Sequence, residues 1–193
     1  TRLENVRRSF RDHLEIIEAL QAGERDWAAA VMQRHLTHSD GRAARYFEDA
    51  LDFFPAEVKG AYPRERLREI FDILSENLPS FSRIAGEIGP FRPGTPALAG
   101  EAREAVAGAG PLLETIAETF EGLHEWNAES VAGGIKGAGA RCAAKGKALY
   151  MPLRAAVTGT LHGPDLSRIL EIRGKRDVTE SIRGSVRAAG GAR

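Results

Sequence analysis

The residues best suited to recognition chemistry lie in KGKALYMPLRAAVTGTLHGPDLSRIL, positions 145–170. Lys145 and Lys147 flank Gly146 just ahead of an apolar segment. Pro152 is expected to start a helix that carries Arg154 in its first turn, and Gly159 to end it. Thr160 to Gly163 would then form a loop, with Pro164 opening the next helix. Such an arrangement can read a nucleic-acid loop. Arg154 can pair with a phosphate or a base edge, and the N–H groups of a helix N-terminus offer the same groups further donors. Leu161 and Leu166 can pack beneath an unstacked base, which is how single-stranded RNA loops are held in basic surroundings. On the residues alone, plain helix packing remains the competing reading.

A second constellation sits near the N-terminus. His13 and His35 lie 10 residues before and 12 residues after Gly23. On two helices folded back at that glycine they would stand about 15 and about 18 Å from the turn, roughly abreast. Neutral imidazoles so placed can share a divalent metal. Two ligands are fewer than the three or four that a zinc site uses, so a hydrogen-bonded pair of core histidines is the alternative. No phosphate loop, dinucleotide fingerprint, HExxH pair or GxSxG elbow occurs. Cys142 stands among glycine and alanine with no histidine near it in sequence, as a passive thiol would.

Helices must position these groups. Leu3, Val6, Phe10, His13, Ile17 and Leu20 recur at helical spacing, Gly23 interrupts, and Trp27, Val31 and His35 resume the pattern. The spacing predicts a helical hairpin over 3–22 and 25–38. A short helix from Tyr46 to Phe54 ends at Pro55. Pro63 suits the first position of a helix with Leu67, Ile70, Phe71 and Leu74 on one stripe, which Pro79 stops. Phe81, Ile84, Ala85 and Ile88 give one more short helix. GPFRPGTP, residues 89–96, has the composition of a linker. Beyond it helices are expected near 97–107 and 111–123, then from 128 with Asn127 as N-cap, and one closed by Gly174. No strand is predicted. The fold class is all-α: a hairpin over 1–46, a helical subdomain over 47–92 and a second over 93–193.

Composition narrows the classes. The 193 residues carry 27 basic and 27 acidic side chains and one cysteine, which excludes a disulfide framework and a uniformly basic coat. Charge is graded, however. Net charge is −2 over residues 1–60, from 9 basic and 11 acidic, and −5 over 61–140, from 7 and 12. It is +7 over 141–193, from 11 and 4, so polyanions would be drawn to the last quarter. No apolar stretch is long enough to cross a membrane. The polar start, which lacks both Met and an apolar core, is not that of a signal peptide. It is expected to be an excerpt of a cytoplasmic protein.

Two family resemblances attach to these residues. FRDHLEIIEALQAGERDWAAAVMQRHLTHS resembles the last two helices of the ligand-binding (FCD) domain of GntR-type transcription regulators. That likeness covers about residues 3–45 and makes His13 and His35 the late half of a metal site whose earlier ligands are missing. The stretch KGKALYMPLRAAVTG with HGPDL resembles the C-terminal anticodon-binding region of bacterial glutamyl-tRNA synthetase. LHEWNAES at 123–130 and AYPRERLREIFDILSENLPSFSRIAGEIGPF at 61–91 extend this second likeness to about 47–187.

The second resemblance implies a helical cage of two subdomains around the anticodon loop of tRNA(Glu). It points to Arg154, Gly163, Pro164 and Leu166 as loop contacts, with Ser167 where relatives can carry an aromatic. Asn77 stands where the family tends to place a base-reading Arg. Lys145 and Lys147 would supply charge. The resemblance implies no cofactor here, because ATP and Mg belong to a catalytic domain whose motifs this chain lacks; the chain is expected to be inactive alone. No DNA or membrane partner is expected, and a homodimer through the hairpin is. A regulator fragment, or a fusion without a ligand, is the alternative.

Overall fold

The computed structural model describes residues 11, 14–29, 31, 47–75 and 80–190. Their contacts group the chain into two units, Thr1–Asp52 and Phe53–Arg193. The described residues are helical or in turns, with no strand among them.

In the first unit, residues 14–21 and 25–29 are helical and the turn at 22–24 joins them. Gly23 takes φ of 79°, and Glu24 donates to the Ala19 carbonyl at 2.9 Å. The buried positions are Ile16, Ala19, Ala28 and Val31. Ile17 and Leu20, expected to face inward, are instead half exposed, as are Leu14 and Trp27. Val31 is buried as its spacing predicts, whereas Ile16, Ala19 and Ala28 take the other inner positions. His13 and His35 lie outside the described residues. A further helical stretch covers 47–51.

The second unit begins with α1 (Ala56–Ala61) and α2 (Arg64–Ser75). The stripe of α2 is buried as its spacing predicts, through Leu67, Ile70, Phe71 and Leu74. The stop expected at Pro79 lies outside the described residues. A turn at Phe81–Arg83 leads to α3 (Ile84–Glu87). The Phe81 ring stands edge-on to Phe71, centroids 6.0 Å apart.

Six helices follow: α4 (Gly100–Ala107), α5 (Gly110–Glu121), α6 (Ala128–Arg141), α7 (Lys147–Thr158), α8 (Leu166–Arg173) and α9 (Lys175–Gly190). Leu113, Ile116, Phe120, Val131, Ile135, Leu153, Leu170, Val178 and Ile182 make one apolar core among them. Helix α9 runs along α5, α7 and α4, while α6 lies between α5 and α8. Asn127 caps α6 as expected: it accepts from the Ser130 N–H at 2.8 Å, and the Ser130 hydroxyl accepts from the Asn127 N–H at 3.1 Å.

Two helix starts differ from expectation. Helix α7 begins at Lys147, so Pro152 lies inside it and Arg154 falls past its first turn. The proline deprives the Ala148 carbonyl of its N–H partner, but Ala148 is exposed and water can serve that carbonyl. Helix α8 begins at Leu166, two residues after Pro164, because Asp165 is the cap and accepts from the Arg168 N–H at 2.9 Å.

The stretch 89–96 is fastened down. Gly94 donates to Asp177 at 2.6 Å and accepts from Arg173 at 2.8 Å and Ser181 at 3.2 Å. Thr95 lies so close to α9 that a Cβ at Gly184 would collide with it. The C-terminus of α7 abuts the same region and is buried. The Ala156 carbonyl accepts from Ser181 and Ser185, at 3.2 and 2.7 Å, and the Val157 carbonyl accepts from Arg173. Buried hydroxyls on the apolar stripe of α9 thereby satisfy carbonyls that a helix end leaves without partners.

Two outcomes follow from this packing. A Cβ at Gly133 or Gly137 would meet nothing within 4 Å, whereas one at Gly139 would stand 2.7 Å from the Ala144 carbonyl. Gly133→Ala and Gly137→Ala should each raise stability by about 0.5–1 kcal/mol in urea denaturation, and Gly139→Ala should lower it. Tyr62 donates to the Phe91 carbonyl at 2.9 Å, and burial pushes its hydroxyl pKa up to about 12. Because the folded pKa is the higher one, its contribution to stability is complete below the ordinary tyrosine pKa of about 10. That contribution is lost as pH rises through the folded value. Absorbance at 295 nm should show a late-titrating phenol that Tyr62→Phe removes.

Candidate functional site

Helix α7 delivers Arg154 to the inner side of the loop 160–165. Its Nη2 donates to the Pro164 carbonyl at 2.8 Å. Its Nη1 is buried and meets no acceptor among the described residues. A Cβ on Gly163 would sit 3.2 Å from that atom, a tight contact that glycine avoids. Gly163 also holds φ of 148°, which other residues rarely adopt. Burial draws the guanidinium pKa below its ordinary value, and the nearby Asp165 carboxylate opposes that shift. The group stays charged at neutral pH. One nitrogen of a desolvated cation is thus left without a partner beneath the loop backbone.

Thr158 and Thr160 stiffen the loop. The Thr158 hydroxyl donates to the Arg154 carbonyl at 2.8 Å, and the Thr160 hydroxyl donates to the His162 carbonyl at 2.9 Å. Gly159, in the left-handed region at φ of 73°, ends α7 as expected.

Cavities open on both flanks of this loop. One is a groove of about 930 Å³ between α2 and α3 on one side and residues 160–165 on the other. Gly86, Gly89, Pro90, Gly163 and Pro164 line it together with the carboxylates Glu69, Asp72, Glu87 and Asp165. Arg168 stands at its rim, 3.8 Å from Glu69 of α2 and 2.5 Å from Glu171. The other is a pocket of about 250 Å³ lined by Gly146, Lys147, Tyr150, Met151, Arg154 and Leu161. Tyr150, Met151 and Leu161 give it apolar walls, with Lys147 at its mouth.

The structure thus gathers Arg154, Gly163, Pro164 and Lys147 around one loop. Lys145 is exposed on the α6–α7 connection, and Ser167 is half-buried in the first turn of α8. Leu166 points the other way: it is 5% exposed and belongs to the core. Leu161, half-buried, is the better apolar platform. Asn77 lies outside the described residues. The positive charge of the last quarter is partly cancelled in place. Arg168, Arg173, Arg176 and Arg183 pair with Glu171, Asp177, Glu180 and Glu121 at 2.5–2.8 Å. The reading from sequence missed the groove itself and the buried trio Arg173, Ser181 and Ser185 behind it. Serines on an otherwise apolar stripe were the available signal.

Among the described residues no group of three or more His, Cys, Asp or Glu side chains is placed to hold a metal ion. No described helix is long and apolar enough to cross a membrane.

Comparison with known proteins places this geometry. The family model for the anticodon binding domain matches residues 43–185. The glutamate–tRNA ligase of Halalkalibacterium halodurans is 40% identical over 72 residues, 37% of this chain and 15% of that protein. That of Mycoplasma genitalium is 40% identical over 77 residues, 40% of this chain and 16% of that protein. The matched stretch is therefore a small part of either ligase. The crystal structure of a glutamate tRNA ligase from Elizabethkingia meningosepticum, in complex with its amino acid, matches with a TM-score of 0.65. At 20% identity over 83% of this chain and 32% of that one, this is a likeness of fold. With most of its length inside the family match, the chain belongs to the anticodon-binding domain family.

Proposed function

We propose that the second unit binds the anticodon loop of a glutamate tRNA and takes its unstacked bases around the 160–165 loop. Arg154 in the wall of the pocket beside the loop, with one nitrogen still unpartnered, carries this reading. A desolvated cation with a spare donor favours a ligand that brings an acceptor, as an RNA base edge or phosphate does. The groove and the apolar pocket beside it give splayed bases room and a platform. Lys145 and Lys147 add attraction at the approach.

On this reading the chain positions RNA and catalyses nothing. Activation of the amino acid, with its ATP and magnesium, would belong to a separate catalytic domain. The half-exposed Leu14, Ile17, Leu20 and Trp27 give the hairpin an apolar face that fits association of two copies.

A tRNA(Glu) anticodon stem-loop should bind with an affinity that falls steeply as salt rises. Arg154→Ala should weaken binding by roughly 1–3 kcal/mol in a fluorescence-anisotropy titration. Affinity no better than that of control proteins with matched Lys and Arg content would refute the proposal. Gly163→Ala, which strains the loop and crowds Nη1, should destabilise the fold by about 1–2 kcal/mol and weaken the same binding. Thermal denaturation reads the first effect and the titration the second.

A further inference from the structure

Arg173 is 5% exposed overall, with its side chain wholly buried, and makes bonds to three separate elements. Nε donates to Asp177 of α9 at 2.6 Å, Nη2 to the Gly94 carbonyl at 2.8 Å, and Nη1 to the Val157 carbonyl of α7. Asp177 in turn accepts from the Gly94 N–H at 2.6 Å. Arg173 and Asp177 therefore hold both polar groups of one glycine, and only a planar fork reaches all of these partners at once. A buried ion pair is weak support for stability, since apolar replacements of equal size often do as well. Its bonds act here on placement.

Each element so joined carries part of the site. The segment holding Gly94 continues from Gly89 and Pro90 in the groove wall. Helix α7 carries Arg154 three residues before Val157 and leads directly into the 160–165 loop. Helix α8, which ends in Arg173, begins with the Asp165 cap and Arg168 at the groove rim. We propose that Arg173 is a positioning residue: its clasp on Gly94 and Val157 fixes the separation of the groove walls and so sets RNA affinity without touching RNA. The role in binding rests on the anticodon reading; the clasp does not.

The test uses the full chain with Cys142→Ser and spin labels at Gly86→Cys and His162→Cys, on opposite walls of the groove. Electron–electron resonance should give one narrow distance in this parent. Arg173→Met should broaden or shift it while far-ultraviolet circular dichroism stays helical. Arg173→Lys, which returns the charge without the fork, should not restore it. Without labels, Arg173→Met should bind the stem-loop about tenfold more weakly. The salt slope should not change, because no phosphate contact is lost. Asp177→Asn, a milder break of the same clasp, carries the comparison if Arg173→Met fails to fold. An unchanged distance would overturn the clasp. Altered distances with unchanged affinity would overturn the positioning role. A wild-type chain that ignores the stem-loop would remove the anticodon reading, and the distances alone would then decide the clasp.

Discussion

The second unit depends on the satisfaction of one buried helix end. Helix α7 must run into the core to bring Arg154 to its loop, and this leaves the carbonyls of Ala156 and Val157 away from water. Leaving such groups unpaired costs about 1–3 kcal/mol each. Ser181 and Ser185 of α9 answer the first and Arg173 of α8 the second. Those donors dictate how α9 and α8 lie on α7. Arg173 and Ser181 also reach Gly94, so the path of the connecting segment follows from the same requirement.

About one turn before that buried end, polar demand is left partly open. Arg154 spends one nitrogen on the Pro164 carbonyl, which shapes the loop, and keeps another buried without an acceptor. Backbone and side chain near the C-terminal end of one short helix therefore contrast. The carbonyls are satisfied and fix geometry, whereas the Arg154 side chain keeps one buried nitrogen without an acceptor beside Gly163. Recognition needs both conditions, because an exposed donor free to move would lose more entropy on binding.

Much of this was legible in the sequence, through particular residues. The stripe of α2 and the Asn127 cap stand where period and chemistry put them, and Gly159 and Gly174 end their helices. In the hairpin Val31 is buried where its spacing puts it, but Ile16, Ala19 and Ala28 take the inner positions expected of Ile17, Leu20 and Trp27. Pro152 misled because a proline is tolerated within a helix when the carbonyl it orphans faces water. Leu166 was read as a base platform, but an apolar side chain at a helix start does not announce which side it faces. The segment 89–96 reads as a linker from its prolines and glycines. Its partners Arg173, Asp177 and Ser181 lie some 80 residues away, and no local pattern marks a pairing at that separation.

That separation has a kinetic meaning. Contacts joining residues 79 to 87 positions apart close a long loop before any of them forms, and the entropy of that closure slows the step. The early helices of the second unit can form locally, but their path over the later bundle is settled only once α8 and α9 are in place. The unit is thereby built to gain and lose its native arrangement as one cooperative block, with its emerging amino half waiting on the carboxyl half during synthesis.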